Sequence, residues 1–154
     1  MRRGARAVLK WFSLLYVIAI IVQVFLAGEG VFRMYNIKNS DDCDKAAAHC
    51  IANSKTLDAH RGMGFILTEP VALLFLIVAL IAWFPDVRIR VVSIVAPILT
   101  FVQAVLAVVG GWVGGLHPVN GFLILFLYGW LFYKLRKGTP ETATTAEPAA
   151  VPTG

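Results

Sequence analysis

The sequence predicts an all-α integral membrane protein, a four-helix antiparallel bundle built from a duplicated helix pair. Three observations lead there. First, 58% of the 154 residues are hydrophobic and only 15% are charged, and the mean hydropathy is +0.75, which is the composition of membrane spans and not of a soluble core. Second, the apolar residues gather in four runs, each close to the roughly 20 residues a helix needs to cross a hydrocarbon layer about 30 Å thick. Third, the runs repeat in pairs. Gln23 to Gly30 and Gln103 to Gly110 share the pattern Q-x-x-L-A-x-x-G. Each is followed by a histidine four residues before a glycine, His60 with Gly64 and His117 with Gly121, and each glycine opens a further apolar run.

The transmembrane domain is expected over residues 1–137. Arg2, Arg3, Arg6 and Lys10 precede a first span at about 11–32. A basic start before an apolar run also marks a signal peptide. The run is long for one, and a cut after Ala27 would put Phe25 where a small residue is wanted, so the segment reads as a retained span. Residues 33–59 form a polar outer loop. The second span, about 62–84, ends in a loop at Pro85–Arg90 short enough to make its neighbours antiparallel. The third, about 91–113, closes in the glycine-rich stretch Gly110–Gly115. The fourth, about 118–135, begins at Pro118, a residue suited to a first helical position because its missing N–H is no loss there. The tail, 138–154, is rich in Thr, Ala, Pro and Glu and cannot bury enough to fold, which predicts a disordered cytoplasmic segment.

The net charge of +5 does not point to nucleic acid. Arg2, Arg3, Arg6, Lys10, Arg88, Arg90, Lys134, Arg136 and Lys137 all flank apolar runs on one side of a four-span chain. On the other side Lys38, Lys45 and Lys55 are offset by Asp41, Asp42, Asp44 and Asp58. The positive-inside rule then makes both termini cytoplasmic in a multi-pass protein of the cell membrane. Trp11, Trp83 and Trp130 fall toward the inner interface and Trp112 toward the outer one. His60 and His117 fall at the outer ends of their helices.

On a helix, His60 and Gly64 lie within about 40° of one another, as do His117 and Gly121. The second and fourth helices of an up-down bundle are diagonal partners, about 12–14 Å apart if neighbours are 8–10 Å apart. Two imidazoles with a metal between them span that distance, and the glycines leave a recess for a flat ring. The plainer reading is that both histidines are interfacial residues reaching water and that the glycines serve close helix packing. Arg61 is placed either for a haem propionate, which suits its guanidinium, or as a surface arginine. Gln23 and Gln103, polar in mid-span, are expected to face the bundle interior as structural hydrogen-bonders. Glu29 precedes Arg33 by four residues and is expected to pair with it. Glu69 is an intramembrane carboxylate, nine residues or about 900° from His60, which puts it on the opposite face. It reads as an acid bonded to a neighbouring helix or subunit, beside a kink at Pro70.

Cys43 and Cys50 lie in the outer loop, on an oxidising side. Within one helix they would be about 10.5 Å apart, beyond disulfide reach. A bridge therefore needs Cys43 outside any helix there; the rival is a metal site of these thiols with His49 and the nearby aspartates.

Taken together, Gln23 with Leu26-Ala27, His60-Arg61, Gln103 with Leu106-Ala107, and His117 resemble one four-helix half of the haem A synthase family, over about residues 11–135. Small four-span bacterial membrane proteins share this plan. The resemblance implies that His60 and His117 are ligands of haem near the outer surface. The synthase has two such halves, and the glutamate three residues before its first histidine is Leu57 here, so synthase activity is not inferred.

Three functions fit this pattern. One is a protein that binds one haem b through His60 and His117, with Arg61, Gly64 and Gly121 around it, for electron transfer or haem handling with a membrane-bound redox partner. Another is a small accessory subunit without a cofactor, packing through its glycine faces and Glu69. A transporter fits least, since four spans with few buried charges offer little pathway. No enzymatic activity is assigned.

Overall fold

A computed structural model describes residues 2–38, 55–109 and 111–137. The expected loop with Cys43, His49 and Cys50 and the expected disordered tail lie outside the described residues. Every element among those described is helical: α1 (Arg2–Lys38), α2 (Asp58–Ile66), a π-turn (Leu67–Val71), α3 (Ala72–Ala82), α4 (Val87–Val109), the short α5 (Gly111–Gly114) and α6 (Leu116–Arg136). Four stretches are long and apolar enough to cross a membrane: Arg2–Asn36, Asp58–Ala82, Val87–Val109 and Trp112–Arg136.

These boundaries differ from the sequence reading at particular points. The first helix already includes Arg2–Lys10, ahead of Trp11, and Arg6 there reaches across to the carbonyls of Ala82 and Trp83. The third runs to Val109, and Gly111–Gly114 in the glycine-rich stretch is again helical. The fourth starts two residues before Pro118, which still falls in the first turn, where a missing N–H costs no bond. Asp86 caps α4, its Oδ1 accepting the N–H groups of Arg88 (2.8 Å) and Ile89 (3.4 Å), and so fixes the turn after Phe84.

The four helices form a ring. The stretch Asp58–Ala82 packs on α1 and α4, and α6 packs on α1 and α4 from the other side. Asp58–Ala82 and α6 therefore face each other across the bundle, as do α1 and α4. Near the first end of α1, Arg6 donates to the carbonyls of Ala82 (3.2 Å) and Trp83 (3.3 Å), capping the last turn of α3. Further along α1, Gln23 meets His60 near the start of α2.

The core is aromatic. The Tyr16 and Tyr128 rings stack 4.2 Å apart, and Phe75 meets both edge-on, at 5.8 Å and 5.0 Å. Phe75 and Tyr128 are fully buried. Such pairs contribute about 0.5–1.5 kcal/mol each beyond area burial, so this cluster clamps α1, α3 and α6 together. Polar side chains in the apolar helices are satisfied locally: Ser13 donates to Leu9 O, Ser93 to Arg90 O and Thr100 to Ala96 O. Outward, Phe25, Phe32, Trp112, Phe122 and Phe126 are more than half exposed, an apolar exterior that fits a bilayer and not water. Glu29 and Arg33 form the expected ion pair.

Candidate functional site

The bundle encloses a cavity of about 690 Å³ toward the end away from Arg6, a size that suits a bound small molecule or cofactor. His60 and His117 both line it, together with Arg61, Gly64, Glu69, Gln103 and Gly121. Its floor is the tyrosine stack, through Tyr16. Thr100 also lines the cavity, and its Oγ1 lies 3.3 Å from the Tyr128 hydroxyl. Tyr16 donates to the carbonyl of Leu67 at 2.7 Å, which ties the floor to the π-turn.

Each histidine is held by a glutamine through two hydrogen bonds. Gln23 Nε2 donates to the carbonyl of His60 (3.1 Å), and His60 Nδ1 lies 3.1 Å from the carbonyl of Gln23. Gln103 Nε2 donates to the carbonyl of His117 (2.9 Å), and His117 Nδ1 lies 3.2 Å from the carbonyl of Gln103. A backbone carbonyl only accepts, so in each pair Nδ1 carries the proton and donates. Each Nε2 is then left with its lone pair and has no hydrogen-bond partner among the described residues. A ring orientation fixed by an Nδ1–H bond is the arrangement that prepares a histidine to bind a metal through Nε2.

The two rings lie 6.3 Å apart between centres, with their planes at 77°. Two collinear metal–nitrogen bonds of about 2.0 Å, each with its ring centre roughly 1.1 Å behind the nitrogen, separate the centres by about 6 Å. The observed spacing matches that length, and it also falls within the roughly 4.5–7 Å of an ordinary edge-to-face ring contact.

The role of the glycines is more specific than a recess for a flat ring. A Cβ at Gly64 would stand 3.3 Å from Gln23 Nε2, and a Cβ at Gly121 the same distance from Gln103 Nε2. The space one turn below each histidine admits the glutamine amide, and the room for a ligand is the interhelical cavity that both glycines also border.

Glu69, expected on the face opposite His60, borders the same cavity while remaining exposed. The count of about 100° per residue assumed an unbroken α-helix, and the wider turn that begins at Leu67 breaks that count. Pro70 is the physical cause: it lacks an N–H and crowds the carbonyl four residues back, so the helix loosens locally to accommodate it. Neither Glu69 nor the Arg61 guanidinium has a side-chain partner among the described residues.

Sequence reasoning passed over Asn120. Its Nδ2 donates to Gln103 Oε1 (2.7 Å) and to Leu99 O (3.0 Å). The available signal was an amide three residues after His117, at the start of an apolar run. Tyr16 and Tyr128 were also missed, since a tyrosine within a span gives no sign of its partner. No group of three or more His, Cys, Asp or Glu side chains that would hold a bare metal ion occurs among the described residues. Comparison with protein-family models, with curated proteins and with solved structures finds no match for the chain.

Proposed function

We propose that the chain is a multi-pass membrane protein with both termini in the cytoplasm, an antiparallel bundle of two duplicated helix pairs, which holds one b-type haem between His60 and His117 near the outer face. The observation that carries this reading is the pair of imidazoles 6.3 Å apart, each fixed through Nδ1 with its Nε2 left open. A tetrahedral zinc site draws three or four ligands from the protein. A porphyrin brings four nitrogens of its own and asks the protein for two, which is what this cavity offers. The Arg61 guanidinium at the cavity edge, without a side-chain partner among the described residues, suits a propionate, and the mostly apolar wall suits the macrocycle. These features also underlie the proposed kinship with one half of the haem A synthase family.

When bound, the haem would supply one-electron chemistry, with the imidazoles and the low-dielectric wall setting its potential. The residues of the chain orient it and keep water away. One haem near one face does not span a hydrocarbon layer about 30 Å thick, so transfer across the membrane would need a second centre or a membrane-bound redox partner.

The test is a reduced-minus-oxidised absorption spectrum of protein purified from haem-replete cells, alongside His60→Ala and His117→Ala. The expected result is a six-coordinate spectrum that each substitution abolishes. A colourless wild type overturns the reading and favours an accessory subunit without a cofactor, packing through Glu69 and its glycine faces; a spectrum indifferent to both substitutions also overturns it.

A further inference from the structure

The two histidine half-sites are built alike and held unequally. Around His117, the Gln103 amide is engaged at both ends: Nε2 donates to His117 O, and Oε1 accepts from Asn120, which is itself anchored to Leu99 O. Around His60, the position matching Asn120 is Met63, three residues after the histidine and one before the glycine. Methionine has no N–H or O–H to donate. Gln23 is 9% exposed, and its Oε1 is buried without a hydrogen-bond partner among the described residues, a costly condition for an acceptor withdrawn from water, so the amide is held at one end only.

The surroundings differ in the same sense. α6 lies along both α1 and α4, whereas α2 packs on α1 and the chain comes against α4 from the π-turn onward. Where α2 stands away from α4, the cavity is open: Arg61, Phe65 and Glu69 on one side and Val105 and Val108 on the other line it and are exposed. Val108 and Val105, 82% and 57% exposed, give one side of this mouth an apolar rim, and Arg61 and Glu69 give the other side a charged one.

Resting on the haem-binding reading above, we propose that the His60 side is an exchangeable coordination position. His117 is the permanent ligand, His60 is the one that leaves, and the vacated position takes a small neutral diatomic molecule that enters through the opening between α2 and α4. The exchange breaks one metal–nitrogen bond, returning the pair to Nε2 of His60, and forms one bond to the incoming molecule. No electron or proton is transferred, and the Nδ1–H bond to Gln23 still holds the imidazole nearby for rebinding.

Carbon monoxide is the probe, added to the dithionite-reduced full chain in lipid nanodiscs and followed by absorption and stopped flow. The wild type is expected to convert to the carbon monoxide form. Met63→Asn, which supplies the donor that Gln23 Oε1 lacks, is expected to slow the conversion about tenfold. A wild-type spectrum unchanged by carbon monoxide, or equal rates in wild type and Met63→Asn, overturns the proposal. A second readout needs no haem: hydrogen exchange at the amides of Gly64–Ile66 is expected to run at least tenfold faster than at Gly121–Leu123, and equal protection overturns the asymmetry itself. Colourless protein with the exchange difference intact would sink the haem reading and, with it, the coordination claim, but not the inequality of the two halves.

Discussion

The half-site around His60 and the half-site around His117 share a plan: a glutamine on one helix, a histidine on the next, and a glycine one turn beyond it. Between the histidine and the glycine they differ throughout, Arg61-Gly62-Met63 against Pro118-Val119-Asn120, and the last of these differences decides whether the glutamine amide is held at one end or at both. The comparison teaches that a duplicated motif need not give two equivalent ligands. Two imidazoles in near-identical hydrogen-bond settings can differ in how easily each lets go, because the restraint comes from a residue between the motif's histidine and its glycine.

The largest expected effect separates the histidines themselves. His117→Ala should leave purified protein with almost no haem, whereas His60→Ala should retain it in a five-coordinate form; haem-to-protein ratio and spectrum read both, and equal loss from the two variants would break the comparison. Next come the glutamines. Gln103→Leu removes an outer partner whose loss typically costs about 10–100-fold in affinity, and Gln23→Leu should fall at the low end of that range, as measured by haem titration of the apoprotein.

Stability changes should be smaller and equally unequal. Asn120→Met strands the Gln103 Oε1 acceptor and is expected to cost about 1–3 kcal/mol, which at about 2–4 °C per kcal/mol for a chain of this length lowers the melting temperature by several degrees. Gly30→Ala acts on the His60 half alone. A Cβ there would stand 2.5 Å from Leu57 Cδ2 and 2.7 Å from Thr56 O, forcing back the chain that leads into α2, and overpacking of this kind costs about 1–3 kcal/mol. The smallest expected effect is a gain: Met63→Asn should raise the melting temperature by about 2–4 °C if it adds one hydrogen bond of about 1 kcal/mol. A fall instead would mean that Met63 packs better than an amide bonds.

Much of this site is legible from the sequence because duplication repeats a pattern at two places with independent surroundings. His60 and His117 stand out together where either alone would pass for an interfacial residue. The glutamines are legible as inward-facing for the same reason. The phase counted for Glu69 assumes an unbroken α-helix, and the π-turn at Leu67–Val71 shifts the angles counted through it. Asn120 went unweighed because a single amide in an apolar run carries no period to compare it against.

Composition and hydropathy alone determined four helices long and apolar enough to cross a membrane, since that depends only on how many apolar residues stand in a row. The pairing of each glutamine with its histidine was decided by tertiary structure, because it joins residues 37 and 14 positions apart across a helix interface. So was the purpose of Gly64 and Gly121: the space a missing Cβ leaves acquires a function only when a neighbouring helix brings Gln23 or Gln103 to fill it. The stack of Tyr16 on Tyr128 beneath the cavity, and the orphaned oxygen of Gln23, are likewise properties of packed helices, because hydrogen bonding and ring stacking depend on distances of a few ångströms that chain order does not fix.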